Sequence, residues 1–382
     1  MNQYKIMTPG PVQVPEDVRM ARSRSTTNAD LDPTFFEEYK ETCELISELL
    51  HTQNETLILS GEGILGLEAA CASMTEVGDR VLVLDNGIYG KGFADFVSMY
   101  GGKPTLYTVD ERNTLDVDKL REYLKENHDF KYATLVHCDT PSGMLNDIHA
   151  ICPLLKSYGI MTVVDSVSGM FGNLVDVDAA QIDLLCGGSQ KAVSAPPGLT
   201  FVTVSDQAKE AMEQRKTPIA SFYCSLLIFK DYYKTQWFPY TMPISDIYGL
   251  RAALEIIKKD QELLERHHRI AGAARAALQE FGLSLYLESG YSDTVTVFNV
   301  PEDMTSDQIL DRMKENHGIM LAGSFGSLAG KVIRIGHMGA NANLGDMLEV
   351  MSALEETLLY LGWHAPKGLL ESFQYHYQVN CI

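Results

Sequence analysis

From about residue 56 onward, short runs of aliphatic and β-branched residues alternate with stretches whose apolar positions recur at helical spacing. TLILS at 56–60 precedes a helix-like run from Leu65 to Met74, and RVLVLD at 80–85 precedes YGKGFADFVSMYG. YATLVHCD at 132–139 is followed by IHAICPLLKSYG, and MTVVDS at 161–166, DLLCG at 183–187 and LTFVTVS at 199–205 come next. Apolar strands alternating with amphipathic helices predict an α/β fold, a parallel sheet covered on both faces. Such sheets bind ligands at the carboxyl ends of their strands, so the loops after these runs are the places to look for chemistry. Residues 245–280 change character, becoming one long helical tract rich in Leu, Ile, Arg and Glu. Beyond it, TVTVFNV, TSDQILDRMKEN, KVIRIG and GDMLEVMSALEETLLYL predict a smaller α/β unit, and the tail 364–382 fits neither pattern.

A chain of 382 residues is too long for one small core, which favours a large domain plus a smaller one. Its 45% hydrophobic and 21% charged residues are those of a globular protein. A formal charge of −20 speaks against nucleic acid and anionic membranes as partners, since both would be repelled. A small anionic ligand responds to local groups and is not excluded. No apolar run approaches a membrane span, and MNQYKIMTPGPVQV lacks the apolar core of a signal peptide. The seven cysteines (43, 71, 138, 152, 186, 224 and 381) are scattered and form no CxxC. They read as reduced, mostly buried thiols, and the expected location is cytoplasmic.

SGEGILGLEAACA contains Gly61-x-Gly63-x-x-Gly66 directly after a strand and opening a helix, and Asp85 ends the next strand about 20 positions on. Taken alone this satisfies a dinucleotide fingerprint, so a nicotinamide-dependent dehydrogenase is one reading. The physical content is narrower. A helix N-terminus offers free N–H groups and a positive dipole end to an anion, whoever owns it. Lys191 lies in LLCGGSQKAVSAPPG, residues 184–198, among neighbours that are unusually small. Such surroundings suit a lysine that must meet a bulky ligand closely. Asp165 ends the apolar strand MTVVD. A lysine amine forms a Schiff base with a carbonyl cofactor, and a carboxylate beyond the far end of its ring holds a pyridinium proton. A dehydrogenase leaves both residues unexplained.

With these residues in place, the chain resembles the fold-type I pyridoxal 5′-phosphate aminotransferases of class V, nearest the alanine/serine–glyoxylate group. VDSVSGMFG, GGSQKAVSAPPG and GKVIRIGHMG carry the resemblance in that order, supported by SGEGILGLEA and DNGIYGKG. It implies a large cofactor-binding domain over residues 16–259 and a small C-terminal domain over 260–382, joined by the N-terminal segment 1–15. By position, Lys191 resembles the Schiff-base lysine, whose freed amine then moves a proton at the substrate α-carbon. Asp165 resembles the pyridinium partner, although a carboxylate after a strand also serves as an N-cap. Gln190 and the backbone at Glu62, Gly63 and Ile64 resemble phosphate-binding groups. Tyr89 resembles the aromatic that stacks on the ring, and Thr140 and Ser168 resemble side chains near the ring hydroxyl. Arg334 alternates with Ile333 and Ile335 along a strand and resembles the arginine that grips the substrate carboxylate bidentately, with Gly10 at the same end. Thr241 matches a residue that crosses to a neighbouring subunit's site, so a homodimer with shared active sites is implied.

Two positions depart from the family's pattern. Glu62 stands where a small hydroxyl residue commonly contacts the phosphate; its carboxylate would be repelled, so it is expected to turn away. Phe238 stands where relatives have a tyrosine reaching the neighbouring subunit's phosphate, which removes one donor. His267 and His268 lie in a charged helical run without a third ligand, which predicts solvent exposure and no metal. No convincing nucleophile elbow is present. MLAGSFGSLAGKVIR lacks the reactive cysteine that a class V desulfurase needs before its arginine. The implied activity moves an amino group by a ping-pong scheme from alanine or serine to glyoxylate or pyruvate. A 2-aminoethylphosphonate–pyruvate transaminase is the nearest alternative.

Overall fold

The computed structural model describes residues 4–379. Its central sheet has seven strands: β1 (Glu55–Ser60), β2 (Arg80–Asp85), β3 (Lys103–Thr108), β4 (Tyr132–Val136), β5 (Met161–Asp165), β6 (Leu184–Gly188) and β7 (Leu199–Val204). They stand side by side in the order β1-β7-β6-β5-β4-β2-β3. All run parallel except β7, which is antiparallel to both β1 and β6. The reversal has a simple cause. A parallel neighbour needs a crossover of a dozen or more residues, and the helix-free loop between β6 and β7 is too short to provide one. That loop carries Lys191.

The inner strands are buried along their whole length, as at β4, or all but their first residue, as at β2 and β5, which is why their apolar runs are nearly continuous. β3 is an edge strand whose residues are exposed or half-buried, and its mixed sequence KPTLYT escapes the pattern. Helix α1 (Pro33–Leu49) is locked to β1 by Tyr39, whose hydroxyl donates to the Ile58 carbonyl at 2.8 Å and accepts from its N–H at 2.9 Å. Helix α2 (Gly63–Met74) follows β1 and buries Leu67, Ala69, Ala70, Cys71 and Met74. Gly66 allows that close approach, because a Cβ there would lie 2.4 Å from Thr200 Oγ1 on β7.

The helical tract expected over 245–280 is two helices, α3 (Ile244–Lys259) and α4 (Leu263–Glu280). Asp260 breaks it by taking an extended backbone, accepting from the Glu262 N–H at 3.2 Å and from Arg266 Nη1 at 3.0 Å. His267 is fully buried, contrary to the expected exposure, whereas His268 faces solvent. The His267 ring is held from both sides, Nδ1 to the Leu263 carbonyl at 2.6 Å and Nε2 accepting from the Gly339 N–H at 2.9 Å. Burial pushes it down to about 4, so it is a neutral structural group. Among the described residues no cluster could hold a metal ion, and no helix is long and apolar enough to cross a membrane.

A second core gathers around β8 (Val295–Asn299) and the antiparallel β9 (Val332–Gly336), with Phe298, Ile309, Ile333, Met351 and Leu354 among its buried residues. The C-terminal tail contributes a further helix, α5 (Leu369–Val379), which seats Leu369 and Phe373 in this core. Near the N-terminus, Lys5–Ile6 pairs with Ile319–Met320; Met7 enters the second core and Val12 the first. Six cysteines, at 43, 71, 138, 152, 186 and 224, are free and buried; Cys381 lies outside the described residues.

Candidate active site

The carboxyl ends of β1, β5 and β6 open on one cavity of about 210 Å³. Gly10, Glu62, Gly63, Ile64, Tyr89, Thr140, Asp165, Ser168, Gln190 and Lys191 all line it. Of the site residues that the resemblance implies, only Arg334 and Thr241 are not in its wall.

The Lys191 loop is closed on itself. Ser194 N–H donates to the Lys191 carbonyl at 2.8 Å, Ala195 N–H to Ser189 O at 2.9 Å, and Ser189 Oγ to Pro196 O at 2.6 Å. A second turn presses on this loop, so that a Cβ on Gly339 would lie 2.1 Å from Ser194 Oγ, and a Cβ on Gly187 would lie 2.3 Å from the Phe201 ring. Lys191 Nζ donates to the Pro9 carbonyl at 2.7 Å. Gly10 has φ +108°, and a Cβ there would lie 2.4 Å from Lys191 Cδ, so the lysine's path requires this glycine. Desolvation and the nearby Arg334 cation pull the Lys191 ammonium down to about 8; Cys138, Asp165 and Glu62 oppose the shift.

Asp165 is buried at the end of β5, and burial raises its carboxyl to about 7 despite a 2.9 Å hydrogen bond from the Val167 N–H and the Lys191 charge. As an anion it is held at a cost in this buried place, and a cationic ligand would relieve it. Thr140 and Ser168 form one flank, their hydroxyls hydrogen-bonded to each other. Tyr89 enters from the start of a helix at Ile88–Met99, its N–H donating to Asp139 Oδ1 at 3.1 Å and its ring set edge-on to Phe325 at 6.0 Å.

Arg334 projects from β9 beside the cavity. Its Nε donates to the Gly323 carbonyl at 2.6 Å and its Nη1 to Thr140 O at 3.4 Å, and the Phe325 ring lies 5.8 Å from the guanidinium carbon. Among the described residues it makes no ion pair with a carboxylate, so the outer edge of its fork is unclaimed. Thr241 is exposed and does not line this cavity. Phe238 faces the chain's own core, stacked on Phe36 at 4.4 Å, rather than reaching outward. Asp85, the acid of the dinucleotide fingerprint, accepts from Thr108 Oγ1 at 3.0 Å and does not line the cavity.

Sequence reading missed Asp139, Val167 and Cys138. Asp139 is buried and orients Tyr89 while accepting from Ser142 Oγ at 2.7 Å. Its signal was an acid at a strand end in HCDT, one residue from Thr140. Glu62 also departs from expectation. Its carboxylate does not turn away but caps α2, Oε1 accepting from the Ile64 N–H at 3.1 Å and Oε2 from Gln190 Nε2 at 3.1 Å. A helix N-terminus attracts its own acid as readily as a ligand's. For a pyridoxal group, the buried acid, the amine, the aromatic and the paired hydroxyls fit the ring. The Glu62 carboxylate does not fit a phosphate, because its charge repels one and it already occupies two donors a phosphate would use, the Ile64 N–H and the Gln190 amide.

The sequence profile of the Aminotransferase class-V family matches residues 19–338. The chain is 31% identical to the pyridoxamine–pyruvate transaminase of Mesorhizobium japonicum, over 91% of this chain and 90% of that one. It is also 31% identical to the alanine–glyoxylate aminotransferase of Callithrix jacchus, over 87% and 83%. The crystal structure of ureidoglycine–glyoxylate aminotransferase from Bacillus subtilis, 28% identical, superposes with a TM-score of 0.93 over 98% of both chains. A profile spanning most of the chain, and relatives matched nearly end to end, place it in the class V aminotransferase family.

Proposed function

We propose that this aminotransferase holds a pyridoxal ring in the cavity and exchanges an amino group between a small amino acid, alanine or serine, and pyruvate or glyoxylate. The observation that carries the reading is Lys191 and the buried Asp165 in one cavity, with the carboxylate-free Arg334 beside it. A bound pyridoxal ring supplies an electron sink and a carrier for the amino group. The chain's own groups supply the rest. Asp165 holds a proton on the ring nitrogen. Lys191, at about 8, is neutral in part near neutral pH and moves a proton at the substrate α-carbon. Arg334 takes the substrate carboxylate between its unclaimed N–H groups. The named relatives differ in amino donor and share a two- or three-carbon 2-oxo acid, which supports the acceptor. We further propose a ping-pong order, a cytoplasmic enzyme, and a homodimer in which the exposed Thr241 serves a neighbouring subunit.

The test is spectroscopic. Protein loaded with a pyridoxal compound is yellow, and borohydride fixes the label on Lys191. Adding alanine or serine should bleach that absorbance, and pyruvate or glyoxylate should restore it. A label on another lysine, or no response to any small amino acid, would refute the proposal.

A further inference from the structure

Glu62 is the residue that the pyridoxal reading leaves unexplained. Its carboxylate takes the Ile64 N–H and the Gln190 amide, two of the donors at this end of the cavity. Only the amide nitrogen can donate to a carboxylate, so Gln190 is left with Oε1 over. That oxygen is buried without a hydrogen-bond partner, on a side chain only 7% exposed that lines the cavity. The side chains of this flank therefore present acceptors: the two Glu62 oxygens and Gln190 Oε1. A neutral hydroxyl, which donates, satisfies them. A phosphate near its dianionic form only accepts, and it brings about two more negative charges to one already present. Among the residues lining the cavity Lys191 is the sole cation, and it is engaged with Pro9.

We infer that the site is built for a pyridoxamine or pyridoxal ring with a free 5′-hydroxymethyl group, taken up and released as a substrate, rather than for the 5′-phosphate ester. The inference rests on the proposal that Asp165 meets the ring nitrogen and Lys191 the carbon opposite. Thr140 and Ser168 then face the ring hydroxyl, and Glu62 and Gln190 face the 5′ arm. In its amine form the ring has no covalent bond to Lys191. With no phosphate to anchor it, that form exchanges with solvent. Pyridoxamine then gives its nitrogen to the 2-oxo acid: the bond from nitrogen to the ring-borne carbon breaks and a bond to the oxo acid's C2 forms. The ring-borne carbon is oxidised by two electrons to an aldehyde, and its oxygen replaces, by way of water, the one the oxo acid loses. C2 is reduced by the same two electrons and gains one hydrogen, matching the proton that Lys191 removes.

Calorimetric titration of protein stripped of bound vitamers tests this, with pyridoxamine, pyridoxal and their 5′-phosphates as ligands at pH 8. Two charges set about 4 Å from a third repel, even at the dielectric of water, enough to weaken binding about 30-fold. Each free vitamer should therefore bind at least about 30-fold more tightly than its phosphate ester. Glu62→Thr should reverse that order. Should it fail to fold, Glu62→Gln keeps the cap's shape without its charge and should bring each pair within about tenfold. Equal or tighter binding of the esters to the unaltered protein, or a ratio that neither variant moves, would overturn the inference and leave the pyridoxal reading standing. Binding of none of the four would remove both.

Discussion

Replacing Arg334 by lysine keeps one positive charge and discards the fork. The guanidinium spends Nε on the Gly323 carbonyl at 2.6 Å and makes a long 3.4 Å contact from Nη1 to Thr140 O, so Nη2 and the outer edge of Nη1 remain for a ligand. An ammonium cannot hold Gly323 and offer two parallel N–H groups at once. A hydrogen bond to a charged group is worth about 1.5–3 kcal/mol, and stranding the half-buried Gly323 carbonyl costs about 1 kcal/mol more. The loss of transition-state stabilisation should therefore be about 2–4 kcal/mol, or roughly 30- to 1000-fold in kcat/KM. It should fall alike on the amino acid and on the 2-oxo acid, because both present a carboxylate to the same group. Binding of the ring compound alone should change by less than about threefold, since Arg334 is not in the cavity wall. Stopped-flow measurement of each half-reaction, with calorimetry of the ring compound, separates these effects. A 2-aminoethylphosphonate donor has no α-carboxylate and should lose far less. Amino-acid and oxo-acid half-reactions left within threefold of the unaltered protein would show that the grip lies elsewhere.

Asp165→Asn should separate stability from chemistry. Burial raises the folded carboxyl to about 7 from an ordinary 3.8, so the folded state binds its proton more tightly. The resulting cost is absent below about pH 4, grows as pH rises through the window, and is complete above 7, at most about 4 kcal/mol. The variant should thus raise the melting temperature of the ligand-free protein at pH 8 more than at pH 5, while slowing amino transfer by orders of magnitude. Equal shifts at the two pH values, or a drop at pH 8, would contradict this account. Gly10→Ala places a Cβ 2.4 Å from Lys191 Cδ at a backbone angle of +108°. It should cost about 1–3 kcal/mol in denaturant unfolding and sharply reduce borohydride labelling of Lys191. Full labelling would mean the lysine has another path.

What the chain's pattern determined unaided were features set by neighbours in sequence. The strand MTVVD carries Met, Thr and two Val before its acid because both faces of its sheet are covered, and that reads directly as a buried strand ending in Asp165. The glycines of SGEGILG and the small residues around Lys191 signal close approach before any partner is known, and the partners are Thr200 and the turn at Gly339. Less was legible where the deciding contact lies far along the chain. The edge strand at Lys103–Thr108 is half-solvated and carries no clean period. The burial of His267 depends on an N–H at Gly339, and the side of Phe238 depends on the ring of Phe36. The reversal of β7 came from a loop too short to cross over. Glu62 shows the division most clearly. Local electrostatics alone sent its carboxylate away from an anion site, whereas tertiary structure set Gln190, 128 positions on, beside it. With that amide and the free N–H of Ile64 at hand, the carboxylate is better satisfied on the helix end than in water, and it stays there.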